Sequence, residues 1–235
     1  MRASVVVFPG SNCDRDVMDS LAEVLGITPQ PVWHDDETLP EEPGLVVLPG
    51  GFSYGDYLRC GAMAARARIM KDVRRHAADG GLVLGICNGF QVLTESRLLP
   101  GAILGNRSRR FICSDCTVRV EADDTPFTSC YEKGQVLSMP IAHHEGLFFL
   151  PPDQLDELET SGQVVFRYCC PDGSLSDRCN PNGALRHIAG VRNAGGNVLG
   201  LMPHPERASE SILGSQDGAP MWRSVAKWMN GGVSS

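Results

Sequence analysis

The stretch that most constrains this chain is Leu82-Val83-Leu84-Gly85-Ile86-Cys87-Asn88-Gly89-Phe90-Gln91. An apolar run of strand length, interrupted only by Gly85, delivers a cysteine set between small residues. A helix-like segment then continues to Arg97. Strand, sharp turn, nucleophile at the apex and helix behind it is the layout of a nucleophile elbow. Gly85 and Gly89 let the backbone turn tightly and pack close. A helix N-terminus under the thiol favours the thiolate, the reactive form. The competing reading is a cysteine that merely ends a buried strand, and this stretch alone does not choose between them.

The rest of the first half supplies a frame for such an elbow. Residues 5–8 read as a continuous apolar strand of the kind buried in a parallel sheet. Pro9-Gly10-Ser11-Asn12-Cys13-Asp14 is a loop ending in helix-capping residues. Val17, Met18, Leu21, Val24 and Leu25 then share one helical face, and Gly26 stops that helix. Residues 31–34 read as an edge strand, 35–43 as an acidic loop, and 45–48 as a third strand. That strand runs into Pro49-Gly50-Gly51-Phe52-Ser53-Tyr54-Gly55-Asp56, at the strand end where open α/β sheets place their sites. It is neither a P-loop nor a dinucleotide fingerprint. A helix over residues 58–78 is predicted to turn Ala62, Ile69, Val73 and Ala77 inward.

From residue 105 to 190 apolar runs shorten and turn residues multiply. Strands are expected at 111–113, 117–121, 136–139, 147–150 and 164–168, with a hairpin over 188–202. A closing helix over 221–229 carries Trp222, Val225, Ala226 and Met229 inward and ends at Gly231-Gly232. The predicted class is α/β: a doubly wound, mostly parallel sheet flanked by helices, with a β-rich insertion in the second half of one domain spanning 1–235.

Composition excludes several functions. The net charge of −7 offers no nucleic-acid or anionic-membrane surface. No apolar run approaches the ~20 residues of a membrane span. Nine cysteines without a secretory leader point to reduced thiols and the cytoplasm. Cys113-Ser114-Asp115-Cys116 has zinc-ligand spacing, but structural zinc sites usually show two such pairs, so free thiols and no metal are expected. His143 and His144 are adjacent, and on a strand they would point to opposite faces, one partly buried and one solvated.

The far end of the chain completes the chemistry. Pro205 pushes His204 into an extended conformation, where residues two apart share a face. Glu206 can then hold one imidazole nitrogen and leave the other for a thiol. Cys87, His204 and Glu206 thus fit the roles of nucleophile, base and orienting acid. From the residues alone this is a cysteine-nucleophile α/β hydrolase; a cysteine peptidase and a catalytically silent scaffold remain open.

The motifs resemble the class I, triad-type glutamine amidotransferases, whose pattern is a Gly-Gly turn, then G-x-C-x-G-x-Q, then H-P-E. Here these are Gly50-Gly51, Gly85-Ile86-Cys87-Asn88-Gly89-Phe90-Gln91 and His204-Pro205-Glu206. Within the family the likeness is greatest to the glutaminase subunits of purine biosynthesis. It is carried by residues 7–14, by Phe52-Ser53-Tyr54-Gly55-Asp56, by Asn180-Pro181-Asn182-Gly183 and by Met202-Pro203-His204-Pro205-Glu206-Arg207. The resemblance implies glutamine as substrate, Cys87 as nucleophile, His204 as base and Glu206 as its orienter. It implies an oxyanion hole from the backbone N–H groups of Gly51 and Asn88. Substrate contacts are implied for Gly50, Phe52 and Gln91, and for the His143-His144 segment. It implies no cofactor in this chain. ATP and magnesium belong to a large synthetase partner subunit, and a small accessory subunit completes the assembly. A glutaminase feeding another synthetase, or a silent regulatory subunit, are the alternatives.

Overall fold

The structure, a computed structural model, describes residues 1–40 and 43–231. The first half alternates strand and helix: β1 (Ala3–Val7), α1 (Asp14–Leu25), β2 (Gln30–Trp33), β3 (Leu45–Leu48), α2 (Met70–Ala78), β4 (Leu82–Ile86) and α3 (Asn88–Glu95). The second half is richer in strands: β5 (Ala102–Gly105), β6 (Ile112–Val120), β7 (Val136–His143), β8 (Glu145–Phe149), α4 (Pro152–Thr160), β9 (Val164–Tyr168), β10 (Ile188–Arg192), β11 (Val198–Leu201) and α5 (Ala219–Met229).

Nine strands form one sheet in the order β2-β1-β3-β4-β11-β10-β9-β6-β7. From β2 to β11 every pairing is parallel. From β11 to β7 every pairing is antiparallel. The β-rich segment therefore extends the same sheet, while β5 and β8 pair separately. The sequence explains the division. β3 and β4 are apolar and buried along their whole length, as strands covered on both faces must be. β7 alternates buried and half-buried residues, the pattern of a sheet with one face covered. α3 packs over β3, β4 and β11, and α1 packs on α5, where the Trp222 indole donates to Ser20 Oγ at 2.7 Å. The chain winds outward from β1 to β2 and then back past β1 to β3, so a switch point lies beyond the ends of β1 and β3.

Several expectations need correction. The helix predicted over 58–78 is helical only at Met70–Ala78, apart from a short 3₁₀ turn. Leu58 and Gly61 have φ of 71° and 77°, and left-handed residues cannot continue a right-handed helix. Likewise α3 ends at Glu95, with Arg97 at φ 61°. The strands expected at 111–113 and 117–121 merge into β6, because Ser114 and Asp115 stand on an exposed stretch that still pairs with β7. Cys13, preceding α1, makes no side-chain capping bond; Asp14 and Asp16 complement the helix dipole instead. Neither β5 nor α4 was legible in the sequence pattern. Gly232 and part of the 35–43 loop lie outside the described residues.

The cysteines depart from expectation at one place. Cys170 and Cys179 form a disulfide, because the turn between them folds back until their Cα atoms are 5.2 Å apart. The other seven are free. Cys113 and Cys116, three residues apart on β6, point to opposite faces and do not converge on a metal. Among the described residues no helix is long and apolar enough to cross a membrane.

Candidate active site

Three neighbouring strands set the site. Leu48 pairs with Gly85, and Gly85 pairs with Gly200, so β3, β4 and β11 run in step. Their C-terminal ends therefore release the Gly50-Gly51 turn, Cys87 and His204 at one level of the sheet. Cys87 stands between β4 and α3 with φ 50° and ψ −105°, a conformation L-residues rarely adopt. The turn is thus made by the cysteine itself, as at a strained elbow. Its N–H is anchored to Leu201 O at 2.8 Å. The flanking glycines serve packing: a Cβ on Gly89 would collide with the Leu48 carbonyl, and one on Gly85 with Gly89. The Asn88 N–H, first in α3, has no acceptor within its own helix.

His204 is extended, at φ −103° and ψ 91°, as the following proline dictates. Its N–H is held by Pro140 O at 2.9 Å. Its Nδ1 lies 2.6 Å from Glu206 Oε1, and both side chains are buried. Nε2 is buried too and has no hydrogen-bond partner. Burial alone would lower the imidazole's pKa. The Glu206 carboxylate, and after it the Cys87 sulfur, overcome that cost and hold it well above the ordinary histidine value. Gly50 lies flat against the ring: a Cβ there would sit 2.7 Å from His204 Cε1. Gly51 has φ 136°, open to glycine alone.

A model of the CobB/CobQ-like glutamine amidotransferase domain matches residues 1–230. The chain belongs to that family. It is 54% identical over 229 residues to the phosphoribosylformylglycinamidine synthase subunit PurQ of Methanosarcina acetivorans, covering 97% of this chain and 98% of the relative. It is 53% identical over 225 residues to the PurQ subunit of Gloeobacter violaceus, covering 96% and 97%. Among solved structures, a chain of PurLQS from Thermotoga maritima superposes with a TM-score of 0.85 at 46% identity, over 97% of this chain and 98% of the other. The glutaminase domain of Trypanosoma brucei CTPS shares the fold, at a TM-score of 0.62 and 15% identity, over 100% and 96%.

The remaining predicted residues of this amidotransferase fall unevenly. Gln91 is buried beside the elbow with both ends of its carboxamide engaged. Oε1 accepts from Asn88 Nδ2 at 2.8 Å, and Nε2 donates to Glu145 O at 2.7 Å. The segment around the two histidines reaches the site through its backbone, since the Cys87 thiol points to Ala142 O at 3.7 Å. His143 is buried with Nδ1 on Asn106 Oδ1 at 3.1 Å. Burial, then the charge of His204, push its pKa down to about 4. His144 is exposed. Phe52 is half-exposed, its ring 6.3 Å from that of Phe111.

Two asparagines that the sequence reading did not assign hold this segment in place. Asn106 Nδ2 donates to His143 O, and the Asn106 N–H to His144 O, each at 2.9 Å. Asn182 Nδ2 donates to Gly146 O at 2.8 Å and to the Tyr168 hydroxyl at 3.0 Å. The Asn-Pro-Asn-Gly turn was visible in the sequence; its partners were not. Cys13 was also missed. Its sulfur lies within 4.8 Å of the donor atoms of His204 and Glu206, the only grouping with metal-ligand character among the described residues. Arg207 Nη2 stands 3.0 Å from that sulfur and Arg207 Nε 3.0 Å from Asp16, so a fixed guanidinium already occupies the approach. His204 Nδ1 and Glu206 Oε1 are, moreover, taken by each other.

Proposed function

We propose that this chain is the glutaminase subunit of a phosphoribosylformylglycinamidine synthase. It hydrolyses glutamine and passes ammonia to the ATP-dependent synthetase subunit in purine biosynthesis. The observation that carries the chemistry is the buried His204–Glu206 pair, which fixes Nδ1 and leaves Nε2 unpaired at the level of the elbow thiol. Cys87 passes its thiol proton to His204 Nε2, and the thiolate then attacks the side-chain carbonyl carbon of glutamine. The oxyanion forms against the N–H groups of Gly51 and Asn88. The carbon–nitrogen bond breaks, the imidazolium returns its proton to the departing amine, and ammonia leaves a γ-glutamyl thioester. Water attacks that thioester, giving up a proton to His204; the carbon–sulfur bond breaks, glutamate leaves and the thiol is restored. Glu206 holds the imidazole in the tautomer and orientation these transfers require. Gly50, Phe52, Gln91 and the backbone around His143 and His144 form the glutamine pocket.

The chain is then one amidotransferase domain of a cytoplasmic complex with a large synthetase subunit, which holds ATP and magnesium, and a small accessory subunit. The identities of 54% and 53% with PurQ subunits along nearly the whole chain support the pathway. The test mixes the chain with both subunits, ATP, magnesium and formylglycinamide ribonucleotide. Glutamine is expected to support product with the intact chain and not with Cys87→Ala, and ammonia to rescue the variant. Product from ammonia but not from glutamine with the intact chain would reject the pathway.

A further inference from the structure

Between the Gly50-Gly51 turn and α2, the chain holds its two most exposed aromatic and aliphatic side chains near the elbow in the open. Leu58 is 93% exposed and Tyr57 75%. They stand in a turn where Tyr54, Asp56 and Leu58 have φ of 54°, 55° and 71°. Left-handed backbone is unfavourable for such residues, and the exposed apolar side chains gain nothing in return within this chain.

The turn is fastened to the site. The Ser53 N–H donates to Asn88 Oδ1 at 3.2 Å, and Asn88 Nδ2 reaches Asp56 Oδ1 at 3.4 Å as well as Gln91. Gly61 lies on the backbone of α3, where a Cβ would be 2.7 Å from Val92 N. Arg59 binds Glu95 near the far end of α3.

A cleft of about 1120 Å³ opens beside the turn, lined by Leu58, Met63, Arg66, Arg74 and Arg97. Arg74 is pinned by Ala65 O at 2.8 Å, and Arg59 takes Glu95, the one acid of the cleft. Arg66 and Arg97 have no acidic partner among the described residues. On a chain of net charge −7 this is an uncompensated cationic cleft with an apolar lip. Its complement is an apolar recess rimmed by carboxylates.

We propose that the ammonia-receiving synthetase subunit seats here, resting on the function proposed above. Tyr57 and Leu58 enter its recess, its carboxylates face Arg66 and Arg97, and seating acts on Asn88 through Ser53 and Asp56. A second copy of this chain fits poorly, because a two-fold contact centred on the cleft would set arginines against arginines. A small anion would leave Tyr57 and Leu58 without a purpose.

The test uses the full chain with the synthetase and accessory subunits. Leu58→Asp, and separately Arg66→Glu with Arg97→Glu, are expected to weaken association about 30-fold, the scale of an interface hot spot. Glutamine-dependent synthesis at limiting subunit should fall in parallel, while ammonia-dependent synthesis, the thermal midpoint and the basal glutaminase rate of the isolated chain stay unchanged. Asp56→Ala, which removes the acceptor of Asn88 Nδ2, should assemble normally yet lose about tenfold of the partner-stimulated glutaminase rate, the low end of couplings between sites. Wild-type affinity in both docking variants, with the intact chain supporting glutamine-dependent synthesis, would overturn this inference and leave the function standing. A self-dimer dissolved by Leu58→Asp would overturn it too. Failure of the intact chain with glutamine would instead strike the function.

Discussion

Gly50→Ala isolates the placement of His204. Gly50 does not need a left-handed φ, so alanine brings no backbone strain there. Its methyl group would stand 2.7 Å from His204 Cε1 and 3.1 Å from Cys13 Sγ. Carbon atoms rest about 3.5–4.0 Å apart, so the ring must retreat by about 1 Å. Cys13 cannot absorb the displacement freely, since its sulfur is held by Arg207 and its N–H by Gly50 O. A misplacement of ~1 Å costs on the order of 100-fold in rate, about 2.7 kcal/mol of barrier. The assay is glutamine hydrolysis by the assembled complex, with ammonia-dependent synthesis as the control for assembly. Overpacking should also lower stability by about 1–3 kcal/mol, so rates are compared well below the melting transition. Gly105→Ala, whose methyl would meet nothing within 4 Å, serves as the neutral comparison. A Gly50→Ala enzyme within threefold of wild type, with normal assembly, would refute the claim that this glycine sets the imidazole's position.

Other consequences are equally direct. The folded chain keeps His143 neutral down to about pH 4, whereas the unfolded chain protonates it near 6.5. Its contribution to stability is therefore intact above pH 6.5 and is lost as pH falls toward 4, by about 3 kcal/mol; denaturant midpoints across this window should fall, and His143→Asn should flatten the trend. Asn182→Ala strands Gly146 O, the Tyr168 hydroxyl and the Ala184 N–H, and should cost about 2–4 kcal/mol in urea unfolding. Reducing the Cys170–Cys179 bridge, which closes a short loop, should lower stability by about 2–3 kcal/mol without changing glutaminase rate; a rate change would tie that loop to the site.

What the sequence reveals is whatever depends on neighbours along the chain. The apolar runs of β1, β3 and β4, the glycine at the end of α1 and the extended His204 all follow from local pattern. So does the distinction between His143 and His144, although His143's partner Asn106 lies 37 residues away. Predictions fail where a tertiary contact overrides periodicity. The 58–69 stretch has helical spacing, yet Gly61 must lie on α3 and Leu58 turns left-handed. Gln91 falls one helical turn after Cys87, but that Asn88 and Glu145 would occupy both ends of its carboxamide could not be read from spacing. Arg207 and Cys13, 194 residues apart, are joined by folding alone.

The place of β11 in the sheet bears on how this protein is made. β11 is the last strand among the described residues, yet it lies between β4 and β10, in the middle of the sheet. A ribosome finishes β4 and the elbow more than a hundred residues before it finishes their neighbour. During that interval the flank of β4 is an unpaired edge, the kind of surface on which nascent chains aggregate. The thiol meanwhile has neither its base nor the Leu201 carbonyl that anchors its turn. One late insertion closes the edge and arms the nucleophile together, so a prematurely terminated chain carries the cysteine without the means to consume glutamine.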